Sequence, residues 1–418
     1  MSARNLFPLF VLALLIAAMG WALSFGTLPP ADFTFSNETE IKSVDPAVVT
    51  GVPDSRIVMS LFEGLVRWDP KTLDPIPGVA ERWELSADKR VYTFHLRHDA
   101  KWSDGSPLTA RDFYYSYRRL LDPKTASEYV YQLSRYLKGA QRYNSAEVTV
   151  GEPVEVEFKN ADQAKPGARG AVLKGELVAS VDVPDPHDDT KTVPVRTVKI
   201  DGHERKYCAE DVPETERVEQ ILPDFDSVGI KVLDDYTLEL TINDPTPYFL
   251  SLTGFQTLSP VNQKCIETHG YPAWTKAENL VCNGSYKLTF RHLRDRIRLE
   301  KNPYYWNRDA VQLNIVDALS LSADTTALNL YLTRKVDWIT TVPSTAIPII
   351  LREKRPDFHP AVELTTNFYR FNVTRPPLTD PRVRRALSMG LNRQNIIDTV
   401  TQMNEMPAYS LVPPLLKG

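Results

Sequence analysis

The chain has 418 residues, of which 42% are hydrophobic and 24% are charged, and its formal net charge is −4. This length allows two or three domains with a large core, and the composition excludes a largely disordered chain. The slightly acidic balance provides no general attraction to nucleic acid, so we expect no nucleic-acid partner.

Residues 1–26 are predicted to direct export. Arg4 supplies a small positive charge, and residues 6–25 then carry almost no polar group. A secretory signal peptide has this order of features, but the apolar run is also just long enough to span a bilayer. The sequence leaves open a cleaved signal peptide and an uncleaved N-terminal membrane anchor. Either one places the rest of the chain outside the cytoplasm.

The fold class predicted by the following elements is α+β. Residues 33–35 and 91–97 alternate as strands, whereas residues 56–66 have helical spacing. Thr109 precedes Asp112 by three residues, which indicates a capping box at the start of a helix.

Residues 144–227 differ from the rest and are predicted to form a small all-β insertion. Short alternating apolar stretches are separated here by clusters of Pro, Gly and Asp, and helical periodicity is absent. A mobile linker is the alternative interpretation, which the alternation disfavours. After the insertion we expect hairpins within residues 231–242 and 286–300, and a helix that starts at Asp380 and Pro381.

The three cysteines are Cys208, Cys265 and Cys282, and none belongs to a CxxC pair. This spacing argues against a zinc site or a thioredoxin-type redox motif. A bridge between Cys265 and Cys282 and three unpaired thiols both remain open.

Motifs of catalysis are missing from the sequence. It contains no GxSxG elbow, no Walker A loop and no HExxH motif. His95 and His98 are three residues apart, which on a strand places them on opposite faces, so we do not expect them to share a metal. We therefore predict no enzyme activity, no catalytic residue, no cofactor and no metal.

Residues 92–120 read YTFHLRHDAKWSDGSPLTARDFYYSYRRL. This stretch resembles the periplasmic oligopeptide-binding proteins of ABC importers, which belong to the peptide and nickel class of solute-binding proteins. Shorter segments are also similar to that family: 61–65 (LFEGL), 77–83 (PGVAERW), 283–287 (NGSYK), 301–306 (KNPYYW) and 381–387 (PRVRRAL). Residues 102–107 are themselves typical of a turn, so we expect them to be structural and not to touch ligand.

The resemblance implies a periplasmic-binding-protein-like clamshell, in which two lobes close on an extended peptide. In the family the second lobe continues well beyond the equivalent of Gly418, so this sequence is expected to hold the first lobe and only the start of the second. The predicted domains are a signal peptide or membrane anchor at 1–26, a first lobe built from the two segments 27–143 and 228–364, an all-β insertion at 144–227 between those segments, and the truncated start of the second lobe at 365–418.

The resemblance also implies the location, the partners and the ligand contacts. We expect a periplasmic or cell-surface protein that binds a peptide and docks on an ABC permease in the inner membrane. Two alternatives remain: a truncated, transport-incompetent paralogue that acts as a protein-interaction module, and a binder of another solute such as a nickel chelate, haem or oligosaccharide. The predicted ligand-binding residues are Thr50, Gly51, Val52, Tyr129, Thr340, Thr341, Asn367 and Phe368.

Overall fold

The computed structural model describes residues 28–158, 172–361, 363, 365–403 and 405–413. The predicted targeting segment at 1–26 therefore lies outside the described residues. The chain divides into two compact units, Met1–Ser320 and Leu321–Gly418. The boundary between the two units lies 44 residues before residue 364, where the predicted first lobe ends. The lobe boundaries therefore stay predictions.

The structure confirms the mixed α and β class. In chain order the described strands are β1 (Phe33–Ser36), β2 (Val66–Trp68), β3 (Pro75–Pro77), β4 (Ala80–Leu85), β5 (Val91–Leu96), β6 (Pro153–Glu157), β7 (Val172–Asp185), β8 (Asp188–Ile200), β9 (His203–Cys208), β10 (Glu216–Arg217), β11 (Gln220–Pro223), β12 (Ile230–Asp234), β13 (Thr237–Thr241), β14 (Tyr286–His292), β15 (Arg296–Lys301) and β16 (Ile315–Leu319). The described α-helices are α1 (Val52–Leu61), α2 (Ala110–Leu121), α3 (Tyr131–Ser134), α4 (Ala140–Asn144), α5 (Phe249–Leu252), α6 (Gln263–His269), α7 (Asp324–Leu332), α8 (Ile347–Glu353), α9 (Pro381–Gly390) and α10 (Arg393–Ile396).

The strands of the first unit form separate sheets. One has the order β1-β16-β15-β14, a second β12-β13-β5-β4, a third β10-β9-β8-β7-β6-β11, and β2 pairs with β3. Strand β1 runs parallel to β16, with Phe33 opposite Val316. Parallel partners need a crossover connection, and here nearly the whole first unit lies between the two strands.

Strand β5 and helix α2 follow the sequence pattern closely. Tyr92, Phe94 and Leu96 are buried, whereas the residues between them are only partly buried. The backbone N–H of Thr109 donates to the Asp112 carboxylate at 2.8 Å, which confirms the predicted capping box. The predicted hairpins are also confirmed, as β12–β13 and β14–β15.

Helix α1 starts and ends earlier than the predicted span of 56–66. It begins at Val52, and Pro53 in its first turn has a φ angle that suits a helix start. The chain then leaves the helix before Gly64, where a Cβ atom would lie 2.5 Å from the carbonyl oxygen of Thr253. The local spacing could not predict this close approach between distant segments.

The predicted insertion contains the six-stranded sheet. Its small core includes Val154, Val156, Leu177, Val198 and Tyr207, all fully buried. The insertion contacts the end of α2 through an ion pair of 2.6 Å between Arg118 and Glu155. Residues 159–171, within this segment, lie outside the described residues.

In the unit Leu321–Gly418 the apolar residues Ala327, Val336 and Ile347 are buried. Helix α9 begins as predicted, because the Asp380 carboxylate accepts a hydrogen bond of 2.8 Å from the backbone N–H of Arg382. Across the described residues of both units, no helix combines the length and the apolar character that crossing a membrane would require.

Candidate ligand-binding site

The predicted contacts at residues 50–52 form the entry to helix α1. Gly51 is the N-cap residue, with an extended backbone at φ −85° and ψ 150°. A Cβ atom on Gly51 would lie 2.5 Å from a carboxylate oxygen of Asp54, so glycine permits this close approach. The buried Asp54 carboxylate in turn accepts a hydrogen bond of 2.7 Å from the backbone N–H of Lys42. The backbone here is therefore held in one conformation.

This helix start offers backbone donors to a ligand. Within the helix, the N–H groups of Val52 and Asp54 have no partner, Pro53 has no N–H, and the N-cap residue Gly51 has no side chain that could cap them. Val52, the first helical residue, is 69% exposed. The Asp54 carboxylate in the same turn offsets the partial positive charge of the helix N-terminus, so these donors suit a neutral carbonyl oxygen and not a carboxylate. Residues 50–52 can therefore bind the polar backbone of an extended ligand.

Tyr129 lies beside this segment. Its hydroxyl donates to the carbonyl oxygen of Thr50 at 3.3 Å, so the structure brings two predicted residues into contact. The Tyr129 ring also meets Phe255 edge to face, with ring centroids 5.4 Å apart. The side-chain amide of Gln256 donates to the Ser55 hydroxyl at 2.9 Å. This hydrogen bond holds Phe255, the preceding residue, next to α1.

Phe255 contacts the predicted site residue Tyr129, and the sequence analysis did not select it. Phe255 lies three residues from both Leu252 and Leu258, and this apolar spacing indicates packing without marking a ligand contact. Only its contact with Tyr129 associates it with the site.

The other predicted residues belong to the unit Leu321–Gly418. Thr340 is partly buried and Thr341 is exposed. Asn367 is exposed, as is Phe368, whose ring lies 5.7 Å from the guanidinium of Arg370. That these residues bind the same ligand as residues 50–52 remains a prediction.

The turn at 102–107 is structural, as expected. Gly105 has φ +87°, and the Asp104 carboxylate accepts a hydrogen bond of 2.9 Å from the backbone N–H of Ser106. The backbone N–H of Ser103 donates to the carbonyl oxygen of Cys282 at 2.7 Å. The turn therefore holds a distant segment in place.

Three of the shorter motifs meet around Glu63. Its carboxylate accepts hydrogen bonds from the Tyr305 hydroxyl and from the indole N–H of Trp306, the latter at 2.7 Å. Its backbone N–H donates to the side-chain oxygen of Asn283 at 3.1 Å. The guanidinium of Arg97 lies 3.7 Å from the Trp306 ring. LFEGL, NGSYK and KNPYYW thus join separate segments of the first unit.

Glu63→Gln is expected to change how stability depends on pH. Burial raises the pKa of Glu63 above its ordinary value of 4.5, although hydrogen bonds from Tyr305 and Trp306 act in the opposite direction. Between pH 4.5 and the raised pKa, Glu63 is ionised in the unfolded chain but still protonated in the folded protein. The free energy of unfolding therefore falls as the pH rises through this range. The slope is at most about 1.4 kcal/mol per pH unit, the value for one proton. Urea unfolding between pH 4.5 and 7.5 should show this decline in the original protein and a smaller one in the variant.

Glu84→Gln is the control, because the pKa of Glu84 is shifted in the opposite direction to that of Glu63. Hydrogen bonds from Arg82 and His95 lower the pKa of the exposed Glu84. Its contribution to stability is therefore present above the ordinary glutamate pKa and is lost at lower pH. If Glu63→Gln left the pH profile unchanged, Glu63 would not hold its proton in the folded protein.

The cysteines are unbridged, and this settles the alternatives left open above. Cys208, Cys265 and Cys282 are all buried free thiols. Burial raises the pKa of Cys282 to about 12, so this thiol stays protonated and unreactive.

The prediction that His95 and His98 lie on opposite faces of one strand is wrong. Strand β5 ends at Leu96, so His98 lies beyond the alternating strand, and both histidines line one shallow cavity together with Asp234 and Asp235. Among residues in the described ranges, no group of three or more His, Cys, Asp or Glu side chains is placed to hold a metal ion.

Backbone groups and aromatic rings make up most of the candidate site around residues 50–52. The family model "Bacterial extracellular solute-binding proteins, family 5 Middle" matches residues 74–418. The chain belongs to this family of bacterial extracellular solute-binding proteins.

The sequence is also similar to individual proteins that are named as periplasmic oligopeptide-binding proteins. The periplasmic oligopeptide-binding protein OppA of Escherichia coli strain K12 is 34% identical over 390 residues, covering 92% of this chain and 56% of the relative. OppA of Salmonella typhimurium is 32% identical over 384 residues, again covering 92% and 56%. The chain thus spans about half the length of the curated relatives it matches.

Solved structures show the same fold. OppA of Burkholderia pseudomallei superposes with a TM-score of 0.70 at 29% identity, covering 94% of this chain and 62% of that one. Haemophilus influenzae OppA in complex with RPPGFSPFR superposes with a TM-score of 0.68 at 28% identity, covering 93% and 61%.

Proposed function

We propose that this protein is an extracytoplasmic solute-binding protein that binds oligopeptides in extended form for delivery to the permease of an ABC importer. The observation that carries the proposal is the fixed, uncapped helix start at residues 50–52. Backbone donors at an extended segment pair with a peptide main chain whatever its side chains are. The clamshell of two lobes, a periplasmic location and the absence of catalysis belong to the same proposal.

The comparisons support peptide as the ligand class. The relatives with the names given above are oligopeptide-binding proteins, and the Haemophilus protein was solved with a nonapeptide. Another relative, 31% identical, is described as a probable deoxycholate-binding periplasmic protein of E. coli. This second ligand class makes deoxycholate the informative competitor in a binding test.

Val52→Pro is expected to weaken peptide binding roughly threefold to tenfold, the effect of losing one backbone hydrogen bond. Proline replaces the amide hydrogen and the valine side chain by its ring, and it is well tolerated at the first position of a helix. The extended backbone of Gly51 suits a following proline. Calorimetric titration of the 418-residue protein with tri- and tetrapeptides of mixed sequence, with deoxycholate in a parallel titration, measures the effect.

Val52→Ala is the matched control, because it shortens the same exposed side chain and keeps the amide. We expect it to bind peptides like the original protein. Binding of deoxycholate but not of any peptide would contradict the proposal. Equal affinity of Val52→Pro and Val52→Ala would show that this amide does not bind the ligand.

A further inference from the structure

Four aromatic rings form a row beside residues 50–52. Trp68 lies 6.5 Å from Phe255, Phe255 lies 5.4 Å from Tyr129, and Tyr129 lies 6.0 Å from Tyr131, measured between ring centroids. The angles between ring planes are 50°, 87° and 66°, so no neighbouring pair is stacked face to face. Edge-to-face contact suits the charge distribution of aromatic rings, and a further ring can join such a row in the same way.

Hydrogen bonds hold two of the four rings of this aromatic row, Trp68 and Tyr129, in place. The indole N–H of Trp68 donates to the carbonyl oxygen of Ser251 at 3.0 Å. The Tyr129 hydroxyl donates to Thr50, as described above. Rings that are already ordered lose little conformational entropy when a ligand packs on them, which favours binding.

The aromatic row is not sealed within the core. Tyr131 is 38% exposed, and Trp68, Phe255 and Tyr129 are each only partly buried. Phe249, in the same unit, is in contrast completely buried. The row therefore leaves apolar ring surface accessible next to the polar backbone of residues 50–52, and covering that surface would be favourable.

We propose that the aromatic row is a subsite for an aromatic side chain of the bound peptide. This inference rests on the proposed function, and it adds a side-chain preference to backbone binding. A cationic side chain suits the row less well, because the guanidinium of Arg135 already lies 5.2 Å from the Tyr131 ring and repels a second positive charge. An aliphatic side chain gains the apolar contact but lacks the edge-to-face interaction.

The test uses two small probes, N-acetyl-phenylalanine amide and N-acetyl-leucine amide, which carry the same backbone groups. Their affinities for the 418-residue protein are measured by ligand-observed NMR titration. The phenylalanine probe is expected to bind roughly threefold to tenfold more tightly, the range that one aromatic pair contributes. Phe255→Leu keeps an apolar side chain of similar size and should remove most of this preference. Tyr131→Leu, at an exposed position where folding is not at risk, should reduce it.

Phe158→Leu is the matched control. Phe158 is partly buried in the insertion, and it meets Tyr207 edge to face at 5.7 Å, much as Phe255 meets Tyr129. This variant should keep the full preference for the phenylalanine probe.

Equal affinity of the two probes, or no binding of either, overturns the inference. So does an equal loss of preference in Phe255→Leu and Phe158→Leu. Oligopeptide binding without aromatic preference would overturn the subsite and leave the proposed function standing. A preference for the phenylalanine probe without binding of any peptide would overturn both the proposed function and the subsite for a bound peptide.

Discussion

Arg119→Met is expected to lower the free energy of unfolding by about 3–5 kcal/mol, the cost of leaving one partner of a buried ion pair without the other. Two nitrogens of the Arg119 guanidinium contact the two carboxylate oxygens of Asp45, at 3.0 and 2.5 Å. The Asp45 side chain has no exposed surface. Methionine fills much of the same volume but cannot neutralise the buried carboxylate. The shift of the urea unfolding transition, followed by circular dichroism, measures the loss.

Arg111→Met is the control on the same helix, α2. Its guanidinium lies 3.4 Å from Asp235, and both side chains are largely exposed. Exposed ion pairs of this kind contribute less than about 1 kcal/mol. If both variants shifted the transition equally, the pair of Arg119 and Asp45 would not be a principal stabilising contact of the first unit.

Gly284→Ala is expected to destabilise the first unit by about 3 kcal/mol, at the upper end of what overpacking costs. A Cβ atom at this position would lie 2.5 Å from the carbonyl carbon of Leu61 and 2.6 Å from the carbonyl oxygen of Ser60. These are backbone atoms at the end of α1, so they cannot rotate away as a side chain could. The shift would also strain the hydrogen bond of 2.7 Å from the backbone N–H of Gly284 to Leu61. Thermal unfolding and the yield of soluble protein measure the effect.

Gly390→Ala makes the same chemical change where space is open. Apart from the adjacent residues and the backbone of its own helix, no heavy atom lies within 4 Å of where a Cβ of residue 390 would be, and Gly390 is the last residue of α9. Alanine in a helix should be neutral or stabilise by up to about 1 kcal/mol. A loss in Gly390→Ala as large as that in Gly284→Ala would mean that the contact with α1 is not the cause.

The candidate site was only partly predictable. Thr50 and Tyr129 were selected through family resemblance, and a hydrogen bond joins them in the structure. Phe255 was not selected, because its role depends on a contact with Tyr129 across more than a hundred residues of chain. A resemblance transfers positions that a family shares, whereas a ring contact depends on which segments the fold brings together.

The sequence by itself determined the local elements and the family. Alternation of buried residues in β5, the pairing of Thr109 with Asp112, and the Asp380 cap of α9 all depend on residues a few positions apart. Such short-range chemistry can be predicted without knowing the rest of the molecule.

Only the tertiary structure decided where distant segments meet. It brought Gly64 against Thr253, kept Cys265 and Cys282 as separate thiols, and joined Glu63 to Trp306, 243 residues away. It also placed Phe255 beside the helix start at residues 50–52. The physical reason is that sheet pairing and core packing bring together segments whose separation along the chain leaves no periodic trace in the sequence.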